Sequence, residues 1–333
     1  MHDPDSTRLA IPGWMTSIPG SDAWAAAEPI DKGWSPDRKY RIRTRDGGSL
    51  LLRVSEASTA EAKKAEFERV RQAFALGIPM SRPLAFGVCD GSDHPDEPED
   101  RGAPEDRNRS ENRPFVYSLL SWIEGKDAQD LLPGLSDDEA YRLGRRAGEY
   151  LHRMHTLPAP AGTLSPAAAL RKQIQRKQAA YEQCGYLLPF DRELLAQIEA
   201  RLPLLENVAP GFRQGDYHPG NMILAPDGSL HIIDFNRSDY GDPYRDFNRL
   251  ITFTSRISLP FARGQLDGYL AAAPYDPHFF GRLSLYCAVE SLYAIVWAVP
   301  FGEPEISDTL QRSEQIWSDF DGFTRDVPVW YTQ

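Results

Sequence analysis

The chain has 333 residues, of which 41% are hydrophobic, and a formal net charge of −11. This length supports a large core, more readily divided between two lobes than held in one compact unit. The negative charge argues against a nucleic-acid partner, because binding to a phosphate backbone requires a basic surface. The three widely spaced cysteines indicate neither a disulfide framework nor a zinc site, and we expect reduced thiols in the cytoplasm.

Two features argue against secretion or membrane insertion. The first residues lack a basic segment followed by an apolar run, so no signal peptide is predicted. The most apolar stretch, residues 283–300, carries Glu290 in its middle and ends at a proline. This pattern favours a buried helix of a large domain over a membrane span, and no membrane partner is expected.

The first part of the chain predicts a β-rich unit. Within residues 21–30 an alanine run favours a short helix that begins at Ser21 or Asp22. Apolar and charged residues alternate through residues 39–56 on both sides of an Asp-Gly-Gly turn, which is typical of a β-hairpin. A helix is predicted over residues 59–76, because its apolar residues share one face and a glycine follows.

Two further strands are predicted at residues 82–88 and 115–123. Between them, residues 90–113 are highly charged, lack periodicity and contain almost no apolar side chain. Such a composition is typical of a mobile insertion without a catalytic part.

After Gly125 the pattern becomes helical. Ser136 is a predicted N-cap, and two more helices are expected over residues 164–183 and 191–206. Two short strands follow around a Pro-Asp-Gly turn, and the chain from Tyr244 onward is again mostly helical.

Three oxygen-bearing side chains lie close together in the segment GDYHPGNMILAPDGSLHIIDF, residues 215–235. Asp216 and Asn221 are five residues apart, and Asp234 follows an apolar run that predicts a strand. A surface loop would use the same residue types. However, Mg²⁺ takes hard oxygen ligands, usually one or two carboxylates plus substrate phosphates, and a separate carboxylate can orient an attacking hydroxyl. The pattern therefore indicates a magnesium and phosphate site.

The stretch QGDYHPGNMIL…HIIDFNRSDYGDPYRDF resembles the catalytic region of aminoglycoside phosphotransferases and related small-molecule kinases. The order of elements agrees with that family over most of the chain, and residues 213–247 are its most specific part. The resemblance implies an α+β, protein-kinase-like two-lobe fold. Its N-lobe, residues 1–120, would hold a small antiparallel β-sheet with one main helix. A hinge at 121–125 would lead to a larger, mostly helical C-lobe at 126–333.

The resemblance also implies residue roles. Asp216 would be the catalytic base, while Asn221 and Asp234 would bind Mg²⁺. The implied supporting positions are His218, more often structural than a proton carrier, and Asp242 and Asp246, which would brace the loop. Gln214 stands where the family usually has a histidine, so the hydrogen bonding behind the loop is expected to differ.

The N-lobe is expected to bind ATP or GTP. Arg53 stands on the strand that carries the phosphate-binding lysine in kinases; arginine keeps the charge but has a different geometry. Its expected partner is a carboxylate on the following helix. We prefer Glu66 to Glu68, because Glu66 lies on or near the apolar face of that helix.

Two backbone contacts with the nucleotide are also implied. Residues 31–40 occupy the place of the phosphate-covering loop without its glycine pattern, and the backbone around Gly33 and Ser35 is predicted to cradle phosphate. In the hinge, Ser121 and Ile123 are predicted to bind adenine through their backbone groups.

The signatures of protein-kinase catalysis and activation loops, His-Arg-Asp, Asp-Phe-Gly and Ala-Pro-Glu, are absent from the expected places. We therefore expect the γ-phosphate to pass to a hydroxyl of a small polar molecule, such as an aminoglycoside or another antibiotic, which would make this a resistance enzyme. One alternative is a metabolic kinase for a sugar or an amino alcohol. Another is an inactive nucleotide-binding pseudokinase, for which Arg53 is the only sign.

The sequence says least about the identity of the acceptor substrate. Acidic residues outnumber basic ones between residues 251 and 333, and no lysine follows Lys177. The C-lobe could thus hold polyamine sugars through carboxylates, or it could simply have an acidic surface. Glu290 and Glu303 are the candidate acceptor-binding residues, and Glu290 requires a partner because it lies in an apolar helix.

Overall fold

The computed structural model describes residues 11–31, 36–90 and 114–331. All but the first residue of the insertion predicted at 90–113 lie outside this part of the chain, as do Gly33 and Ser35. The chain divides into an N-terminal unit, Met1–Glu124, and a C-terminal unit, Gly125–Gln333.

An antiparallel five-stranded sheet forms the N-terminal unit, with the strand order β1-β2-β3-β5-β4. Its strands are β1 Trp24–Pro29, β2 Arg38–Thr44, β3 Ser49–Glu56, β4 Pro83–Cys89 and β5 Phe115–Ser121. The predicted hairpin is β2 and β3, whose turn uses Gly47 at a φ of 87°. Ile42, Leu52 and Trp14 bury their side chains in the core under this sheet.

One prediction in this unit is wrong. The alanine-rich segment forms a short 3₁₀ turn, Ser21–Ala23, and then the edge strand β1 instead of a helix. Trp24 and Ala27 are buried, and Ala27 pairs with Ile42 of β2. Alanine favours a helix by a fraction of a kcal/mol per residue, so strand pairing and burial outweigh this preference.

Helix α1, Ala60–Ala75, follows β3 as predicted. Val70 and Ala73 are buried, and the ring of Phe67 packs on that of Phe86 in β4 with centroids 5.6 Å apart. The helix therefore packs on β4 and β5.

Helices dominate the C-terminal unit, as the sequence predicts. The helices are α2 Ala128–Leu131, α3 Asp137–His155, α4 Pro166–Gln183, α5 Asp191–Arg201, α6 Ser255–Ile257, α7 Leu259–Ala272, α8 Phe279–Ala298 and α9 Glu303–Asp319. The short strands are β6 Lys126–Asp127, β7 Gly211–Arg213, β8 Met222–Leu224, β9 Leu230–Ile232 and β10 Asp239–Gly241, paired as β6-β8-β9 and β7-β10. A 3₁₀ helix, Pro243–Phe247, and a π-helix, Leu250–Thr254, precede α6.

Close packing of α3 on α7 anchors the unit. The predicted cap Ser136 forms a capping box with Glu139 at the start of α3. A Cβ at Gly144 of α3 would lie 2.1 Å from the carbonyl oxygen of Phe261, so only glycine permits this approach. Tyr217, fully buried, donates a 2.7 Å hydrogen bond to the Ala147 carbonyl and so ties the segment after β7 to α3.

Among the described residues, one helix, Phe279–Phe301, is long and apolar enough to cross a membrane. However, 67% of its apolar window is buried within the fold. It is the core helix α8 with its 3₁₀ extension.

Candidate functional site

The segment between β7 and β8 is held in one conformation by Asp246. Its carboxylate accepts the backbone N–H groups of Gln214 at 2.8 Å and Gly215 at 2.9 Å, and His155 Nε2 lies 3.1 Å away. Gly215 has a φ of 86°, and a Cβ there would lie 2.1 Å from the Arg237 carbonyl oxygen. Asp246 thus braces the loop that presents the next residue, Asp216.

Asp242 does not brace this loop. Its carboxylate accepts the Tyr244 N–H at 3.1 Å and the Tyr286 hydroxyl at 3.0 Å, and Arg282 Nε lies 3.5 Å away. It therefore caps the 3₁₀ helix Pro243–Phe247 and fixes that helix to α8.

Gln214 links the two aspartates. Its side-chain amide donates to the Asp234 carbonyl at 2.8 Å, and its side-chain oxygen accepts the Asp216 N–H at 2.7 Å. The residue is fully buried. Because an amide both donates and accepts, the glutamine supports both backbone segments at the position where the family usually has a histidine.

The carboxylate of Asp216 lies among polar and cationic groups. Asn221 Nδ2 donates to Asp216 Oδ2 at 3.1 Å and to the Asp216 carbonyl at 2.9 Å, while Arg249 Nε lies 3.0 Å from Oδ1. His218 and Arg237 are farther away, at 3.7 Å and 3.9 Å. Burial raises the pKa of Asp216, but the hydrogen bond from His218 and the charges of Arg249 and Arg237 outweigh burial and lower the pKa to about 2. Because its pKa is far below neutral, the Asp216 carboxylate is ionised at pH 7. Arg249 is the cation nearest to it.

Asn221 and Asp234 form a donor set that suits Mg²⁺. Asn221 uses its amide nitrogen on Asp216, so its oxygen is the atom that it can offer to a cation. Asp234 lies two residues after the end of β9 and has a φ of 55°, a strained backbone conformation that sets the direction of its carboxylate. The described residues contain no cluster of three or more His, Cys, Asp or Glu that could hold a metal. One carboxylate and one amide oxygen still fit Mg²⁺, which takes further ligands from phosphates and water.

A second charged cluster lies in the N-terminal unit. Arg53 NH1 lies 3.4 Å from Glu66 Oε1, whereas the other candidate, Glu68, pairs with Arg71 at the surface. The Arg53 side chain is 9% exposed, so its charge requires this compensation. The geometry thus assigns Glu66 to Arg53.

Two further members of this cluster were not predicted. Asp37 Oδ2 lies 2.7 Å from Arg53 NH2 and 2.7 Å from Lys63 Nζ, and Ser55 donates to Asp37 Oδ1 at 2.8 Å. Lys63 also contacts Glu66, one turn later on α1, at 3.1 Å. The three-residue spacing of Lys63 and Glu66 was a usable signal, since such positions share a helix face. Nothing in the sequence pattern pointed to the side chain of Asp37.

The remaining predicted residues have ordinary partners. Ser121 donates its N–H to the Arg82 carbonyl and accepts the Arg82 N–H through its hydroxyl, at 2.9 Å and 2.8 Å. Its N–H is therefore used within the sheet, while Ile123 donates to no backbone carbonyl in the described part of the chain. Glu303 accepts the Tyr186 hydroxyl at 3.0 Å, and Glu290 Oε1 lies 3.6 Å from Arg249 NH1. Arg249 thus contacts both Glu290 and Asp216. The sequence analysis did not predict Arg249 as a site residue.

The sequence of this chain matches the model of one known protein family. The model of the phosphotransferase enzyme family matches residues 26–280. A sequence search of curated proteins gave no match.

Solved structures show the same fold. A choline/ethanolamine kinase family protein from Mesorhizobium loti has a TM-score of 0.61 at 15% identity, covering 93% of this chain and 94% of that chain. Amicoumacin kinase in complex with AMP-PNP and Ca²⁺ has a TM-score of 0.58 at 12% identity, covering 90% of each chain. A thermostable mutant of the aminoglycoside phosphotransferase APH(4)-Ia has a TM-score of 0.56 at 16% identity, covering 88% of this chain and 94% of that chain. The predicted α+β, protein-kinase-like fold is confirmed.

Proposed function

Because this chain belongs to the phosphotransferase enzyme family, we propose that it transfers the γ-phosphoryl group of ATP or GTP to a hydroxyl of a small molecule. The observation that carries the proposal is the Asp216 carboxylate, ionised and held by Asn221 in a loop that Asp246 braces. We assign the reaction to the cytoplasm, where nucleotide is supplied and free cysteines remain reduced.

In this mechanism the Asp216 carboxylate accepts a hydrogen bond from the acceptor hydroxyl. This bond directs the hydroxyl oxygen toward the γ-phosphorus. A pKa of about 2 makes Asp216 a weak base. Orientation is therefore its main contribution. As the acceptor oxygen bonds to phosphorus, the bond from phosphorus to the nucleoside diphosphate breaks and the hydroxyl proton passes to Asp216, in keeping with a loose phosphoryl-transfer transition state. Gln214 holds Asp216 and Asp234 at a fixed relative position during this step, because its side chain is hydrogen-bonded to the backbone of both.

Asn221 and Asp234 would hold Mg²⁺ through their side-chain oxygens. When bound, the ion supplies positive charge that neutralises the phosphate oxygens. In the N-terminal unit, Arg53 and Lys63 would bind nucleotide phosphate oxygens, with Glu66 holding both cations in place. Two cations in this cluster also argue against an inactive pseudokinase, since the phosphate site does not depend on Arg53 alone.

A small-molecule acceptor is supported by the family and by its structural neighbours. These include a choline/ethanolamine kinase family protein, an amicoumacin kinase and an aminoglycoside phosphotransferase. Both an antibiotic and a metabolite with a hydroxyl group are therefore within the range of acceptors.

Two substitutions test the assigned roles. Asp216→Asn keeps the size of the side chain but removes the charge, so turnover should fall about 10²-fold or more with little change in nucleotide affinity. Asp234→Asn should weaken magnesium-dependent nucleotide binding as well as turnover. Titration with nucleotide, with and without Mg²⁺, separates these effects, and Asp138→Asn, at an exposed position of α3, is the control. Normal turnover by both site variants would rule out the proposed function.

A further inference from the structure

Four cationic side chains from four different elements act electrostatically on Glu290 of α8. They are Lys177 on α4, Arg245 on the 3₁₀ helix Pro243–Phe247, Arg249 just before the π-helix, and Arg312 on α9. Burial raises the pKa of Glu290, but these four charges outweigh it and lower the pKa. The Glu290 side chain still keeps 22% of its surface exposed, so this cationic cluster remains accessible to solvent.

Packing contacts fix the members of the cationic cluster. Gln178, beside Lys177, accepts a 2.6 Å hydrogen bond from the Tyr293 hydroxyl, which ties α4 to α8. The guanidinium of Arg245 lies 5.9 Å from the ring of Tyr286, one turn before Glu290. Tertiary packing therefore holds the elements that carry Lys177 and Arg245 against α8.

The cationic cluster is continuous with the catalytic loop. The guanidinium groups of Arg249 and Arg312 lie 5.1 Å and 4.8 Å from the ring centroid of Phe253, and His218 stacks on the same ring at 5.3 Å. Arg249 also contacts Asp216 Oδ1 at 3.0 Å. A ligand bound by the cluster would thus lie beside the carboxylate proposed to orient the acceptor hydroxyl.

Two of the four cations in this region form no direct salt bridge with the residues that the structure describes, and they share the charge of Glu290. Arg249 is shared between Asp216 and Glu290, and Arg312 pairs with Glu305 and Asp308. Within the described residues, Lys177 and Arg245 form no salt bridge. Burial is the first cause that lowers the pKa of Lys177, and neighbouring arginines lower it further. Partly desolvated cations that form no direct salt bridge are costly, and an anion that bonds to them reduces this cost.

We infer that the acceptor carries an anionic group, a carboxylate or a phosphate, which Lys177 and Arg245 bind while its hydroxyl is oriented at Asp216. This inference rests on the proposed function and narrows its substrate class. It runs against polyamine sugars, because carboxylates beside the cluster already contact cations: Asp216 and Glu290 contact Arg249, while Glu305 and Asp308 contact Arg312.

A panel of acceptors with matched skeletons and different charges tests the inference. Glucosamine, glucose, gluconate and glucose 6-phosphate form one set; ethanolamine, glycerol, glycerate and glycerol 3-phosphate form a second; kanamycin represents the polyamines. Thermal unfolding is followed at constant ionic strength with saturating ADP and Mg²⁺. We expect at least one anionic compound to raise Tm and its neutral and amino counterparts to have no effect. The carboxylate and phosphate members show which anion is preferred.

Variants on α4 connect the effect to the cluster. Lys177→Gln should weaken binding of the stabilising anion about 10-fold or more, the usual effect of losing a hydrogen bond between charged groups. It should raise KM for that acceptor more than it lowers kcat. Lys172→Gln, at an exposed position of the same helix, should behave like the unmodified chain.

The inference is overturned if only the amino compounds stabilise the protein, if no anionic compound does, or if Lys177→Gln binds the anion normally. Failure of the proposed function looks different, since it would appear as a lack of magnesium-dependent nucleotide binding before any acceptor is added.

Discussion

The substitution Asp37→Asn should have opposite effects on stability and on nucleotide binding. The Asp37 side chain is 3% exposed and contacts both Arg53 and Lys63 at 2.7 Å. Burial raises its pKa, but the hydrogen bonds from Lys63 and Ser55 and the charge of Arg53 lower it from 3.8 to about 2. At 1.36 kcal/mol per pKa unit, this shift corresponds to about 2 kcal/mol of stability at neutral pH.

The pH dependence follows from the sign of this shift. Because the pKa of Asp37 is lower in the folded state, its contribution is fully present above pH 4 and is lost as the pH falls toward 2. Urea unfolding should therefore show Asp37→Asn to be about 2 kcal/mol less stable at pH 7, with the difference vanishing toward pH 2. Asp22→Asn, at an exposed position of the same unit, is the control.

Nucleotide binding should respond in the other direction. In the structure the Asp37 carboxylate occupies the two cations that are proposed to bind phosphate, so it competes with the nucleotide for them. Removing its charge should tighten magnesium–nucleotide binding, measured by calorimetry at a temperature where both proteins are folded. If affinity falls together with stability, Asp37 supports the nucleotide site and does not compete for it, and this reasoning is refuted.

Three other substitutions examine neighbouring contacts. Arg53→Ala should weaken nucleotide binding while Arg53→Lys retains most of it, and equal affinity of Arg53→Ala and the unmodified chain would contradict a phosphate-binding role. Lys63→Gln should raise the nucleotide Kd several-fold, whereas Lys64→Gln, exposed on the same helix, should leave it unchanged. Gln214→Leu leaves two buried backbone groups without partners and should cost about 1–3 kcal/mol in thermal unfolding and most of the turnover. Gln214→His should retain both, and inactivity of that variant would show that histidine cannot replace the bridge.

Elements with a short-range signal were predictable. The β2–β3 hairpin, α1 and the Ser136 cap depend on alternation, helical spacing and capping within a few residues, and all three are present. The strand β1 was missed because its alanines carry no periodic pattern. Only its pairing with β2, a contact made across the sheet, distinguishes it from a helix.

The candidate site was also predictable only in part from the sequence. Asp216, Asn221 and Asp234 occupy one short segment, so their spacing alone indicated a magnesium and phosphate site. The structure adds Arg249, which packs against Asp216 from a later part of the chain.

The charge around the acceptor region was decided by tertiary structure. Acidic residues predominate along the last third of the sequence, yet basic side chains from separate helices converge on Glu290. The physical reason is that net charge is a sum over the chain, whereas the potential at one group depends on distance. Distances between helices far apart in sequence are set by how their apolar faces pack, and that packing follows from the whole fold.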